Sequence, residues 1–220
     1  KGDYIEKLDG EFWQIRDFKL SPPPVQQPHP PIYTAAATTP DSASFAGKVG
    51  QGLVQPGYLG IPFDLVRSLT ETYRKNLPAG ATSDVVLGIH CHVARDRDEA
   101  IENGAIALAS QAEVFLRGRL SRPVETEKIQ TYATKSASRE AFEKLCTPEK
   151  ARQAVESEWP NVMAVWGMPD ECIEKIKFYV DAMRPEQLML NIASGSLAQD
   201  KVLKSMRLFS EEVMPALRRF

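Results

Sequence analysis

Val85-Val86-Leu87-Gly88-Ile89-His90-Cys91-His92-Val93-Ala94 decides the fold. The stretch is nearly continuous and mostly apolar, the pattern of a parallel strand covered on both faces. Directly after it, Arg95-Asp96-Arg97-Asp98-Glu99-Ala100 opens a long helix that runs to about Arg117. Upstream, Ile61 to Asn76 is amphipathic, with Leu65, Leu69, Thr72 and Tyr73 at helical spacing. Pro56-Gly57-Tyr58-Leu59-Gly60 is a loop, and Leu53-Val54-Gln55 is a short strand. Before that, Ser42 to Val49 forms a short helix behind the breaker Thr38-Thr39-Pro40-Asp41. Ile32 to Ala37 is a short apolar run that fits a buried strand. Its lead-in, Ser21 to Pro31, is so rich in proline that it must be a stiff extended loop. Tyr4 to Leu20 reads as one short extended stretch.

Downstream, residues 118–160 are polar with weak periodicity, apart from Phe142 to Leu145. They read as a partly helical, mobile insertion. Val162 to Trp166 is apolar and is punctuated by Gly167-Met168-Pro169-Asp170-Glu171, a helix start with proline and acids in its first turn. Cys172, Ile173, Ile176, Tyr179, Val180 and Met183 mark the helix. Gln187 to Ala193 is the last strand, closed by Ser194-Gly195-Ser196, and Lys201 to Phe220 is the final helix. Alternating strands and helices predict an α/β fold with a parallel sheet. A closed (β/α)8 TIM barrel takes eight strands and about 250 residues. Four strong units in 220 residues predict roughly half a barrel, in a single domain spanning 1–220.

Composition narrows the partners. A formal net charge of −2 gives no electrostatic basis for binding nucleic acid or an anionic membrane surface. No apolar run is long enough to cross a bilayer. Cys91, Cys146 and Cys172 are widely spaced and form no CxxC pair, which suits a reducing cytoplasm. The chain opens on Lys1-Gly2-Asp3 with no leading strand, so a further upstream segment is expected.

His90 and His92 are the sharpest chemical feature. Residues two apart share one face of a strand, and the C-terminal ends of barrel strands line active sites. Cys91 then faces the helices. The alternative is a histidine pair hydrogen-bonded in a polar interior. A metal site needs more ligands than the one remaining histidine, His29, so none is expected. Thr38, Thr39 and Ser42 follow the first core strand, where hydroxyls and helix-start amides suit a phosphate; plain capping and turn chemistry is the competing reading. Ser194, Gly195 and Ser196 offer a similar turn after the last strand. Gln55 and Tyr58 follow the second core strand, where side chains could border a substrate; ordinary loop packing is an equal reading. Arg117 and Arg119, with Arg122 beyond, sit at the start of the insertion, where a lid would close on an anion; a solvated helix end is the favoured reading.

Three segments carry a family resemblance: Gly10-Glu11-Phe12-Trp13 through Phe18 into Pro24-Val25-Gln26-Gln27-Pro28-His29-Pro30-Pro31-Ile32; Gly167-Met168-Pro169-Asp170-Glu171, with Met168 departing from the usual small residue; and the tail Leu208-Phe209-Ser210-Glu211-Glu212-Val213-Met214-Pro215-Ala216-Leu217. In order and spacing the chain resembles the C-terminal half of luciferase-like flavin-dependent monooxygenases. The resemblance implies that the strands are the barrel's fifth to eighth, and that reduced FMN and dioxygen oxidise a small organic substrate. It also implies that His90 and His92, on the seventh strand, orient the reacting groups or manage a proton. Histidine suits that role through its ordinary pKa near 6.5. The family further implies a homo-oligomer or a complementary N-terminal barrel half, and a separate flavin reductase. Alternatives on the same fold are F420-dependent hydride transfer and a non-catalytic partner subunit.

Overall fold

The structure, a computed structural model, describes residues 4–19, 21–57, 61–120, 143–193 and 195–218, with backbone alone for 118–120. The chain divides into two compact units, residues 1–32 and 33–220.

The first unit is built on a hairpin. Strand β1 (Ile5–Asp9) pairs antiparallel with β2 (Gln14–Phe18), with Ile5 opposite Phe18 and Asp9 opposite Gln14. The stretch expected to run extended therefore reverses on itself. The Gly10 N–H donates to the Trp13 carbonyl at 2.8 Å, and a side chain on Gly10 would crowd that oxygen. Asp9 pairs with Lys7 at 2.6 Å and with Arg16 at 2.5 Å.

The second unit is a parallel sheet with helices. Its elements are β3 (Tyr33–Ala35), α1 (Pro40–Lys48), β4 (Gly52–Gln55), α2 (Phe63–Lys75), β5 (Val85–Val93), α3 (Arg97–Leu120), α4 (Pro148–Ser157), β6 (Ala164–Gly167), α5 (Pro169–Met183), β7 (Gln187–Asn191) and α6 (Gln199–Leu208). A π-helical turn, Phe209–Val213, and a short α7 (Met214–Leu217) close the chain. All strand pairings in this unit are parallel, and β5 is the hub.

The edges of β5 are shared unevenly. The Leu53 N–H donates to the Asp84 carbonyl at 2.8 Å, and the His90 N–H donates to the Met163 carbonyl at 3.2 Å. Even-numbered residues thus turn their backbone groups to one edge, which β4 occupies first and β6 continues past Gln55. β7 takes the other edge, along Val86 to His90. At the N-terminal ends of the strands, the Tyr33 hydroxyl donates to Asp84 at 2.6 Å, and Gln187 donates to both residues. In barrel folds that end is the stability end.

Two departures from the sequence reading have local causes. Of the expected insertion 118–160, residues 121–142 lie outside the described residues. The described remainder holds α4, whose place within the partly helical segment the sequence reading did not give. Thr147 caps α4 by accepting the Lys150 N–H at 3.3 Å, and the buried face is only Ala151, Ala154 and Val155. So small a stripe gives weak periodicity. The final helix was expected to be continuous, but it widens into a π-turn just before Pro215. Proline has no N–H for the carbonyl four residues back and its ring collides with that carbonyl, so the ladder must open.

Candidate functional site

Alternation along β5 sorts its side chains onto two faces. Leu87, Ile89, Cys91 and Val93 enter a core with Phe63, Val66, Cys172, Ile176 and Tyr179 of α2 and α5, and with Leu208 and Phe209 of the last helical segment. Cys91 faces the helices, and burial pushes its thiol well above the ordinary range. Val86, His90 and His92 take the opposite face. Register places His90 beside Ala164 and His92 beside Trp166. Helix α3 closes over this end: Gly104 lies so near the Trp166 indole that a Cβ there would collide with it. Both histidines are 1% exposed.

The two rings are held differently. The Trp166 Nε1–H donates to His90 Nδ1 at 3.3 Å, with ring planes at 78°. Indole only donates, so Nδ1 is the acceptor and the His90 proton resides on Nε2. The His92 Nδ1 is buried and has no hydrogen-bond partner among the described residues. Burial first, and the neighbouring His92 second, lower His90 to about 3. Burial first, and the Lys201 charge second, lower His92 to about 4. Both rings are therefore neutral at pH 7, displaced from the near-neutral titration that unperturbed histidine offers for proton transfer.

The other sequence candidates divide into groups. Thr38, Thr39 and Ser42 lie half-buried at the C-terminal end of β3, the same end of the sheet as the histidines. Thr39 occupies the N-cap of α1, yet its side chain makes no capping bond, so its hydroxyl is not spent on the helix. Gln55 is fully buried, but register sets it opposite Leu87, on the helix-covered face away from His90 and His92. Gly195 and Ser196 pack on α3. The Ser196 N–H donates to Ser110 Oγ at 3.0 Å, and a Cβ on Gly195 would collide with Ser110. The close approach that Gly195 permits is to α3. Arg117 is exposed and paired with Glu113, one turn away on the same helix, at 2.5 Å. Tyr58, Ser194 and Arg122 lie outside the described residues, as does the side chain of Arg119.

Sequence reasoning missed Trp166, Asn103, Lys201 and Ser205 as neighbours of the histidines. Trp166 stands in an apolar run, and only strand register shows that it shares a face with His90. Lys201 and Ser205 lie on a helix whose apolar positions are the stronger sequence signal. Yet the Ser205 hydroxyl accepts the Val93 N–H at 2.8 Å, and Lys201 Nζ donates to Asn103 Oδ1 at 2.7 Å. Among the described residues, no three His, Cys, Asp or Glu side chains gather in a metal-binding arrangement. No helix among them is long and apolar enough to cross a membrane.

A family model described as luciferase-like monooxygenase matches residues 1–184. The chain belongs to the luciferase-like monooxygenase family. It is 29% identical over 222 residues to the oxygenase component of flavin-dependent trigonelline monooxygenase from Acinetobacter baylyi, covering 98% of this chain and 56% of the relative. Among solved structures, it superposes on monooxygenase RslO1 from Streptomyces bottropensis with a TM-score of 0.68 at 22% identity, covering 98% of this chain and 57% of that one. An F420-dependent secondary alcohol dehydrogenase in complex with an F420–acetone adduct gives a TM-score of 0.57 at 21% identity, with 98% and 57% coverage. At such identities the likeness shows the fold alone. The chain spans a little over half the length of these proteins. The fold is thus the expected α/β barrel type, of which these residues supply roughly half.

Proposed function

We propose that this chain supplies the C-terminal part of the oxygenase component of a flavin-dependent monooxygenase that acts on a small organic substrate. Its family membership supports this, as does a buried polar pair, His90 and His92, at the C-terminal end of a barrel strand. The observation that carries the reading is the orphaned His92 Nδ1: a buried polar nitrogen without a partner costs about 1–3 kcal/mol and is tolerated where a bound group satisfies it. The remaining barrel wall has a place to pack. Ala35, Val54, Val86 and Gln187 align across four strands on the histidine face, and each is at least partly exposed.

FMN fits the residues present. The Thr38 and Thr39 hydroxyls and the amides opening α1 would hold its phosphate, Ser42 adding a third hydroxyl. Reduced flavin, when bound, supplies the electrons that activate dioxygen. The chain's own part is positional. His90, held by Trp166, keeps a neutral imidazole on the same face. Neutral His92 offers Nδ1 as a second polar contact, and α3 excludes water from both. A separate reductase would supply reduced flavin in the cytoplasm, and subunits would pair as a homo-oligomer. Of the relatives compared, the flavin-dependent oxygenase shares more sequence than the F420 enzyme, 29% against 21%.

The test uses the full-length protein. FMN should bind and quench its own fluorescence, turnover should require dioxygen, and His92→Ala should lower turnover about 10²–10⁴-fold. Copurified F420, or turnover without oxygen, would refute the flavin monooxygenase reading; unchanged turnover in His92→Ala would remove the histidine from it.

A further inference from the structure

A groove of about 370 Å³ opens between the start of α3 and helix α6, at the C-terminal end of β5. Its rim is exposed and mixed in charge: Arg95, Lys204 and Arg207 stand against Glu99 and Glu211. The rim cations are partly compensated, since Arg95 pairs with Glu212 at 2.5 Å and Lys204 with Asp200 at 3.9 Å. The floor differs. His92, Asn103 and Ser205 are each 1% exposed, and the one charge among them is the half-buried Lys201 ammonium.

That ammonium is under-compensated. Its partner is a neutral amide, Asn103 Oδ1 at 2.7 Å, and among the described residues no carboxylate pairs with it. An ammonium carries three donors, and here one is used. The amide that accepts from Lys201 has both Nδ2 hydrogens left, with no acceptor among the described residues. Beside them stands His92, whose Nδ1 is buried and unpartnered and whose ring lies close enough to feel the Lys201 charge. A half-buried cation, an idle amide donor and an orphaned imidazole nitrogen converge on one floor. A buried charge is ordinarily paired, and a donor set of this kind matches a ligand oxyanion.

We propose that this floor seats the carboxylate of an organic acid substrate, with Lys201 Nζ and Asn103 Nδ2 donating to its two oxygens and His92 contacting the same group. The inference rests on the reading that the site oxidises a small organic substrate, and it names the substrate's class. A carboxylate suits the floor better than a phosphate, since two donors and one imidazole match two oxygens. The mixed rim then meets the remainder of the molecule.

The experiment titrates full-length protein with benzoate, its neutral analogue benzamide, and inorganic phosphate, following ligand-observed NMR and the imidazole resonances of His92. Benzoate should bind saturably and shift His92, while benzamide and phosphate bind at least tenfold more weakly. Loss of a charge-assisted hydrogen bond in Lys201→Met should weaken benzoate about tenfold or more, and Lys201→Arg should stay within about threefold. If Lys201→Met does not fold, Lys201→Gln serves the same purpose. No saturable benzoate binding, equal binding of benzamide, binding to Lys201→Met within twofold of the parent, or displacement of benzoate by phosphate or by FMN would each overturn the proposal. A parallel FMN titration separates the two readings. Benzoate held without FMN binding sinks the flavin reading and leaves the acid seat; FMN bound without benzoate does the reverse.

Discussion

The two faces of β5 solve opposite problems with the same nine residues, Val85 to Val93. On the helix side, Leu87, Ile89, Cys91 and Val93 fill space against α2, α5 and the π-turn. On the other side, His90 and His92 are equally buried, yet His90 Nδ1 is served by Trp166 and His92 Nδ1 by no group among the described residues. The first face is arranged for stability. The second gives up stability at a buried, unpaired nitrogen, as the proposed ligand-binding role would require.

Breaking the helix-side face should have the largest effect. Ile89→Ala leaves a cavity in a core that cannot collapse fully, and should cost about 2–5 kcal/mol in urea unfolding of the full-length protein. FMN affinity of the folded fraction should stay unchanged. A cost below about 1 kcal/mol would mean that this face is looser than its burial indicates.

The histidine face should reveal itself through acid. Both rings have folded pKa values below the unfolded 6.5, at about 3 and about 4. The unfolded chain therefore binds more protons than the folded one in this window. Stability is fully present above about pH 6.5 and falls as the pH drops toward 4 and then 3, with a ceiling of about 1.4 kcal/mol per pH unit for each histidine. His90→Asn with His92→Asn should flatten the slope between pH 6 and pH 5 relative to the parent. An identical slope would show that the rings protonate freely in the folded state.

Trp166→Phe is a finer cut across the same face. It keeps the ring packing but removes the donor to His90 Nδ1. An unsatisfied buried acceptor should cost about 1–2 kcal/mol, and the imidazole nitrogen shifts should report loss of the Nε2–H tautomer. A retained tautomer would show that the other interactions of His90 fix it.

The same contrast explains what the sequence could disclose. Apolar runs at Val85–Val93 and at the amphipathic helices are local signals, so strand and helix order was legible, as was the placement of His90 and His92 on one face. Pairing is not local. Nothing in Ala164–Gly167 announces that it continues β4's edge of β5, so Trp166 could not be joined to His90 on paper. Asn103, Lys201 and Ser205 meet His92 from two helices about a hundred residues apart, a closeness only the fold creates. Gly195 shows the converse. Its positive φ of 67° was legible as a tight turn, but the neighbour it admits proved to be Ser110.

Gln55 gives the smallest and most discriminating test, because it is a polar residue on the apolar face. It is 0% exposed, and neither its Nε2 nor its Oε1 has a hydrogen-bond partner among the described residues. Methionine matches its length and shape without the desolvated amide. When a buried polar group has no partner, an apolar replacement of the same shape is neutral or stabilising. Gln55→Met should therefore raise stability by up to about 1 kcal/mol in thermal unfolding of the full-length protein, with FMN affinity unchanged. Destabilisation by about 1 kcal/mol or more would show that the amide has a partner in the folded protein. A variant that melts higher alone but loses the stabilisation conferred by FMN or by benzoate would identify that ligand as the partner. The division of labour between the two faces would then be incomplete, because a binding group would stand on the side that otherwise only packs.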